Sequence, residues 1–162
     1  MAEVRAAGPD DVHALHRFGE THVRAHYAPL IGAEAADAQV RDWWNETHIG
    51  AAVAAGLVVV AEDGGELLGV GQRGRGGAGH VVYKLYVHPG QRGRGLGPQL
   101  LDALAAQLPA DAERLYIEHF AANERAGAFY EREGFAVERI EPSPTGDPAL
   151  AVVWRVKPLL TK

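Results

Sequence analysis

The chain contains no cysteine and only one serine, Ser143, among its 162 residues. Without cysteine it forms no disulfide, offers no thiolate ligand for a metal and has no cysteine nucleophile. Ser143 lies in a proline-rich loop, and no Gly-x-Ser-x-Gly sequence of the kind that serine hydrolases use is present. Any catalysis by this chain is therefore predicted to proceed without a covalent serine or cysteine intermediate.

Positive charge is also in short supply, because 16 lysines and arginines face 21 aspartates and glutamates, for a formal net charge of −5. Non-specific binding to nucleic acid needs a positively charged surface, so nucleic acid is not an expected partner. No apolar run approaches the roughly 20 residues that span a bilayer, and the first residues lack the apolar segment of a secretory signal. We expect a cytoplasmic protein that does not bind membranes.

Glycine is abundant, with 20 residues, where an average chain of this length has about 11. The apolar share of 47% and the charged share of 23% are those of an ordinary globular protein. The length suits a single domain, which we expect to span residues 1–162.

Changes in hydrophobic periodicity along the chain predict a mixed α/β domain around one sheet. Four helices are expected, with Pro29 and Gly32 breaking the first, and they cover residues 10–26, 35–55, 96–108 and 123–133. Asn123 and Gly134 are the expected caps of the last helix. Short strands are expected at residues 4–6, 57–61, 67–71, 81–87, 115–120, 135–140 and 150–156.

The pentapeptide Gln-Arg-Gly-Arg-Gly occurs twice, at residues 72–76 and 91–95. The first copy continues into further glycines and then a strand, which indicates a flexible hairpin loop. An Arg-Gly nucleic-acid-binding segment is the alternative, although one short copy in an acidic chain supports it weakly.

The second copy lies between a predicted strand and an amphipathic helix. Glycines at 93, 95 and 97 allow close approach of an anion. The following helix begins with Leu96 and Pro98 in its first turn, and the unpaired amides of this helix start would point at the anion. Arg92 and Arg94 add formal charge. This arrangement indicates a phosphate or pyrophosphate cradle. A tight turn with solvated arginines is the alternative.

Two familiar phosphate motifs do not fit this segment. A Walker loop requires Gly-Lys-Ser/Thr, which is absent, and a dinucleotide fingerprint requires a third glycine where Pro98 stands. Glu118 follows at about the distance of the ribose-binding acid of that fingerprint, but the glycine spacing and the preceding strand order disagree with it.

The segment Arg92-x-x-Gly95-x-Gly97 resembles the acyl-CoA motif of the GCN5-related N-acetyltransferase (GNAT) family. A second block, Ile117-Glu118-His119 followed by Asn123, Phe129-Tyr130-Glu131 and Gly134-Phe135, is similar to another family segment. The resemblance covers essentially the whole chain. It implies a single mixed, mostly antiparallel sheet flanked by helices, and acetyl-CoA as co-substrate without a metal.

The resemblance also implies roles for individual residues. The backbone of Leu85, Tyr86 and Val87 would pair with the pantetheine arm, and an amide near Leu85 would polarise the acetyl carbonyl. The amides of residues 93–97 would hold the pyrophosphate. Asn123 and Tyr130 match positions on the thiol side of the cofactor.

Direct transfer of acetyl to an amine needs a proton acceptor and a proton donor. Tyr130 is the candidate acid, because a phenol with a pKa of about 10 stays protonated at neutral pH; packing of its helix is the alternative role. Glu118 is the candidate base, since its spacing from Tyr130 resembles that in bacterial ribosomal-protein alanine acetyltransferases. A surface position for Glu118 is equally compatible with the sequence, and Glu62 is a reserve candidate.

Other chemically reactive side chains are expected to have structural roles only. His22 and His26 share a helix face, but no third metal ligand is evident. Trp43, Trp44 and Tyr27 are expected to pack, and Lys84 is expected to extend its ammonium group into solvent.

The acceptor is not encoded in a recognisable motif. A net charge of −5 suits cationic amines, polyamines and peptide N-termini alike, so we expect a primary amine of a small molecule or peptide. A homodimer is compatible with the resemblance. The alternatives are a CoA- or nucleotide-binding module without turnover and an RNA-binding role.

Overall fold

The structure is a computed structural model that describes residues 2–77 and 79–159. Ala78, at the tip of the expected first hairpin, and the ends of the expected 1–162 domain lie outside the described residues. The contacts divide the chain into two compact units. Unit 1 comprises Met1–Arg73 and Lys84–Gln107, and unit 2 comprises Gly74–Tyr83 and Leu108–Lys162.

Helices and strands follow the predicted order, with the N-terminal helical region more finely divided than expected. The strands are β1 (Glu3–Ala6), β2 (Val58–Asp63), β3 (Glu66–Gly76), β4 (Gly79–Val87), β5 (Arg114–Phe120), β6 (Ala136–Glu141) and β7 (Val152–Pro158). The helices are α1 (Val12–Phe18), α2 (Arg24–Ile31), α3 (Ala33–Trp43), α4 (Glu46–Ala54), α5 (Leu96–Ala106) and α6 (Glu124–Arg132). Within the described residues, no helix is long and apolar enough to cross a membrane.

The strands form one mixed sheet in the order β1-β2-β3-β4-β5-β7-β6. Neighbours pair antiparallel in β1–β2, β2–β3, β5–β7 and β7–β6, and β4 pairs with β5 in parallel. The parallel register joins Val81 to Tyr116 and Val82 to Ile117, while β4 itself continues to Val87 and β5 to Phe120. The predicted fold class, a mixed and mostly antiparallel sheet flanked by helices, is confirmed.

Helix α5 packs on β3 where two glycines leave room for it. A Cβ atom at Gly69 would lie 3.0 Å from Leu100, and one at Gly71 would lie 2.9 Å from Leu104. Because side chains alternate across a strand, Gln72 points to the opposite face. Within unit 1, α5 therefore packs on one face of β3, and the Gln72 side chain lies on the opposite face.

The first Gln-Arg-Gly-Arg-Gly copy is not a loop, and that prediction is wrong. Residues 72–76 complete β3. The ring of Tyr83 lies so close to Gly74 that a Cβ atom there would be 2.8 Å from it, and its hydroxyl would be 2.9 Å from a Cβ at Gly76. An aromatic ring laid across strand glycines supplies the packing that glycine itself lacks.

The predicted break at Pro29 is also wrong, because α2 continues through it to Ile31. Proline removes one backbone hydrogen bond, but here it lies in the last turn of a helix whose Tyr27 and Ile31 are buried. The helix ends at Gly32, which has a φ of 91°. A five-residue π-helical segment, Gly19–Val23, joins α1 to α2.

The helical stretch expected at 35–55 consists of two helices rather than one. Helix α3 ends at Trp43, and α4 begins at Glu46 after Asn45. The Oδ1 atom of Asn45 accepts a hydrogen bond from the backbone N–H of His48 at 2.7 Å. This is N-capping, for which asparagine is well suited.

Candidate active site

The loop that enters α5, where the sequence predicts an anion cradle, contains two glycines in the left-handed conformation. Gly93 has a φ of 80° and Gly95 a φ of 82°, in the left-handed region that other residues rarely adopt. Gly95 is the N-cap residue, and Leu96 begins the helix with its side chain buried. The backbone conformation therefore accounts by itself for the presence of glycine at both positions.

The start of α5 carries the positive end of the helix dipole. The N–H of Gln99 donates to the carbonyl of Gly95 at 3.2 Å, which closes the first turn. Pro98 stands within that turn, where a missing N–H costs little. Gly93, Arg94 and Gly95 are exposed, and Arg92 is half-buried. The segment in which the sequence predicts a pyrophosphate site is therefore largely exposed.

A histidine shapes the entry to this loop. Nδ1 of His88 accepts a hydrogen bond from the backbone N–H of Gly90 at 3.0 Å, and the N–H of His88 donates to Leu68 at 2.7 Å. The ring of His22 lies 4.4 Å from the ring of His88. Burial, and then the charge of His88, lower the pKa of His22.

Leu85, Tyr86 and Val87 form the end of β4, directly before this loop, and all three are half-buried. The ring of Tyr86 packs edge-on against Trp44 at 5.5 Å, and its hydroxyl is hydrogen-bonded to that of Tyr27. Leu85–Val87 and Arg92–Pro98 both belong to unit 1 and are separated by residues 88–91.

Lys84 does not extend into solvent, so that prediction is wrong. It is 6% exposed, and its Nζ atom donates to Oε1 of Gln72 at 2.9 Å. The ammonium group lies 4.9 Å from the centroid of the Trp44 ring. Burial lowers its pKa from 10.5 to about 7. The sequence offered only one signal of this, a lysine inside an otherwise apolar strand.

Asn123 and Tyr130 both belong to unit 2. Asn123 immediately precedes α6, and Tyr130 lies in the second half of that helix. Oδ1 of Asn123 accepts a hydrogen bond from the N–H of Ala126 at 3.3 Å, so the predicted cap is confirmed. Tyr130 is buried, and its ring packs near His119 at 5.8 Å and Phe135 at 6.2 Å. The helix and the strand β5 therefore fix the direction of the Tyr130 side chain.

Glu118 lies on β5 in unit 2. Its neighbour His119 faces α6, because a Cβ atom at Gly127 would lie 3.0 Å from the His119 ring. Side chains alternate along a strand, so Glu118 points to the other face. Burial raises the pKa of Glu118, the charge of Glu141 adds to the increase, and Arg139 opposes it. A carboxylate with a raised pKa is a stronger base than an exposed one.

The other expected roles divide. Trp44 and Tyr27 are buried, which fits the packing role predicted for them, whereas Trp43 is 49% exposed and its ring packs edge-on against His48 at 5.2 Å. Glu62 accepts a hydrogen bond from Nε of Arg5 at 2.5 Å, which gives it a structural partner in unit 1. In the part of the chain that the structure describes, no group of three or more His, Asp or Glu side chains could hold a metal ion.

Comparison with known sequences assigns the chain to a family. Residues 54–137 match the acetyltransferase (GNAT) domain family. The chain therefore belongs to the GNAT acetyltransferase family. It is also 35% identical over 119 residues to the mycothiol acetyltransferase of Propionibacterium freudenreichii subsp. shermanii. That match covers 67% of this chain, but the chain spans only about a third (34%) of the relative's length.

Solved structures of similar fold cover nearly the whole chain. The PaiA N-acetyltransferase of Thermoplasma acidophilum, in complex with coenzyme A, superposes with a TM-score of 0.80 at 16% identity, over 98% of this chain and 99% of that one. An acetyltransferase of Thermus thermophilus gives a TM-score of 0.71 at 25% identity, over 98% and 97%. At 16% identity, the likeness to the PaiA N-acetyltransferase shows a shared fold.

Proposed function

We propose that this protein is an acetyl-CoA-dependent N-acetyltransferase that passes acetyl directly to a primary amine of a small molecule or peptide. The observation that carries the proposal is the left-handed Gly93–Gly95 turn at the start of α5, in a chain of the GNAT family. The lack of cysteine and the single serine fit a transfer without an enzyme-bound acetyl group.

Acetyl-CoA would be held by the residues that carry the family motif. The amides of residues 93–97, with Arg92, Arg94, Leu96 and Pro98 in the same loop and helix start, bind the pyrophosphate. The backbone of Leu85, Tyr86 and Val87 pairs with the pantetheine arm. Asn123 is assigned to the thiol side of the cofactor by the motif, in addition to its role as a helix cap.

The chemistry needs three proton transfers. Glu118 takes a proton from the acceptor's ammonium group, directly or through water, and the freed amine nitrogen attacks the thioester carbonyl carbon. The carbon–sulfur bond then breaks, and the thiolate takes a proton from the Tyr130 hydroxyl. The amide nitrogen gives up its second proton, directly or through water, to the Tyr130 phenolate, which restores the hydroxyl. The backbone N–H near Leu85 stabilises the oxyanion formed between these steps. The roles of Glu118 and Tyr130 are supported by the motif and by the raised pKa of Glu118.

The proposal is tested by mixing the protein with acetyl-CoA and a panel of amines, and by measuring release of the CoA thiol. Because the chain has no cysteine, the thiol reagent has no protein background. CoA affinity is measured separately by calorimetry. Thiol release with an amine supports the transferase, while CoA binding with no release from any amine favours a non-catalytic binding module. The single domain over residues 1–162, the cytoplasmic location and a homodimer stay predictions.

A further inference from the structure

Lys84 is a buried cation whose contacts in the described structure are all with uncharged groups. Its Nζ donates to the Gln72 carboxamide, and the face of Trp44 lies beneath it. Among the residues that the structure describes, no carboxylate forms an ion pair with it. A buried ammonium group without an anion is unfavourable, because a low-dielectric site penalises its charge.

A second titratable group, His48 of α4, lies within electrostatic reach of this site. The charge of Lys84 contributes, after burial, to a lowered pKa of His48. Both groups can only add positive charge. Burial accordingly lowers the pKa of Lys84 to about 7. An anion placed against Lys84 would remove this penalty and restore its proton.

Two contacts of Lys84 suit an anion-binding ammonium group better than a proton-accepting amine. The Gln72 oxygen accepts an N–H, so it favours the protonated group, and an aromatic face attracts a cation. These contacts hold the nitrogen in place and leave its remaining N–H groups for another acceptor. One cation of this kind balances one negative charge, which matches a carboxylate rather than a phosphate dianion.

The location of Lys84 fits an acceptor site. It directly precedes Leu85–Val87, the segment assigned to the pantetheine arm, and Tyr86 shares its face of β4 because side chains alternate. Trp44 contacts both Lys84 and the half-buried Tyr86, and the half-buried His26 lies near Tyr86. A group of aromatic side chains that is only partly buried therefore lies beside the ammonium group of Lys84.

We propose that Lys84 binds a carboxylate carried by the amine acceptor, so that the preferred acceptors are amino acids or similar molecules with both an amine and an acidic group. This inference rests on the proposed transferase function and narrows its acceptor class.

Matched acceptor pairs test the inference without knowledge of the natural substrate. Glycine, β-alanine and 4-aminobutyrate are each compared with the corresponding amide, which lacks the carboxylate. We expect kcat/KM at pH 7 to favour the acid over its amide by at least tenfold in one pair. Thiol release from both members without a preference overturns the inference and leaves the transferase proposal standing. No release from any amine is a failure of the transferase proposal instead.

Variants separate a carboxylate site from a structural role of Lys84. Lys84→Met should bring the acid-to-amide ratio to about one, whereas Lys84→Arg, which keeps the charge, should retain a preference. The control is Lys157→Met, because Lys157 packs over Phe135 in unit 2 and should leave the ratio unchanged. The same pair is compared between variants, so the acceptor amine's own pKa cancels. A preference that survives Lys84→Met overturns the inference.

Proton uptake gives a readout that does not depend on turnover. Calorimetry at pH 8 in two buffers with different ionisation enthalpies should show that the preferred acid takes up part of a proton on binding, and that its amide does not. Lys84→Met should abolish the uptake. If CoA alone causes an uptake that Lys84→Met removes, a cofactor phosphate is the anion and the acceptor assignment is wrong. Absence of uptake with the preferred acid also contradicts it.

Discussion

Nε of Arg155 donates a hydrogen bond to Nε2 of His119 at 3.0 Å in the interior of unit 2. The other ring nitrogen, Nδ1, is 2.8 Å from the carbonyl of Phe120, to which it donates. His119 is therefore held neutral in one tautomer, with Nε2 as acceptor. Burial is the largest cause that lowers the pKa of His119, and the charge of Arg155 adds to it.

This pair explains why Gly127 in α6 is glycine. A Cβ atom there would lie 3.0 Å from the His119 ring and 3.2 Å from Nη2 of Arg155. Gly127→Ala should lower the free energy of unfolding by about 1–3 kcal/mol, the usual cost of overpacking. Denaturant titration measures it.

The matched control is Gly50→Ala in α4, where nothing lies within 4 Å of an added Cβ. There the substitution should stabilise by roughly 0.5–1 kcal/mol, because alanine has the higher helix propensity. Equal effects at the two positions would contradict the close packing of α6 against His119.

Tyr130→Phe should lower kcat by about 10²-fold, because it removes the proton donor proposed for the thiolate. CoA affinity, measured by calorimetry, should stay nearly constant, since the ring and its packing remain. Tyr116→Phe on β5 is the matched control: it also removes a hydroxyl from a buried ring, and its kcat should remain near the parent value. An unchanged rate for Tyr130→Phe would refute the assignment.

Gly95→Glu should abolish CoA binding, because a carboxylate would enter the proposed phosphate cradle in addition to straining a φ of 82°. Gly95→Ala separates the two causes, since it adds only the strain and should reduce CoA affinity less. Gly56→Glu is the control for strain and charge together, with a φ of 75° and open space around it. Retained CoA affinity in Gly95→Glu would mean that the cradle is misplaced.

Glu118→Gln should lower turnover by about 10²-fold and at the same time raise the stability of the protein at pH 7.5. The pKa of Glu118 is raised in the folded state, so its ionised form destabilises the fold above that pKa. The gain in unfolding midpoint should shrink as the pH falls through the raised pKa and vanish below the unfolded value of 4.5. Glu3→Gln, at an exposed strand position, serves as the control. A stability gain that does not depend on pH would contradict the burial of this carboxylate.

Lys84→Met should likewise stabilise the protein at neutral pH. The unfolded chain binds a proton at Lys84 up to pH 10.5, whereas the folded pKa is about 7. Stability of the parent protein should therefore rise between these two pH values, by about 1.4 kcal/mol for each unit of pH. The variant should lose this dependence, which denaturant titrations at pH 7, 8.5 and 10 measure. An unchanged slope would show that Lys84 is not buried as described.

The local features of the fold could be predicted from the sequence because each depends on neighbouring residues. The Asp63-Gly64-Gly65 turn, the Asn123 cap and the Gly134 stop involve only a few consecutive positions, and the structure has all three. The turn at Gly93 and Gly95 does not belong to this class, because Gly74 and Gly76 of the identical first copy lie in a strand.

Tertiary contacts decided the rest. The first Gln-Arg-Gly-Arg-Gly copy is a strand because Tyr83, on the next strand, covers its glycines, and the identical second copy is a loop that begins a helix. Lys84 is buried because Gln72 and Trp44, which are 12 and 40 positions away, enclose its ammonium group. Composition and spacing carry no record of such distant contacts, whereas the short turns and helix caps depend on neighbouring residues, and these the sequence determines by itself.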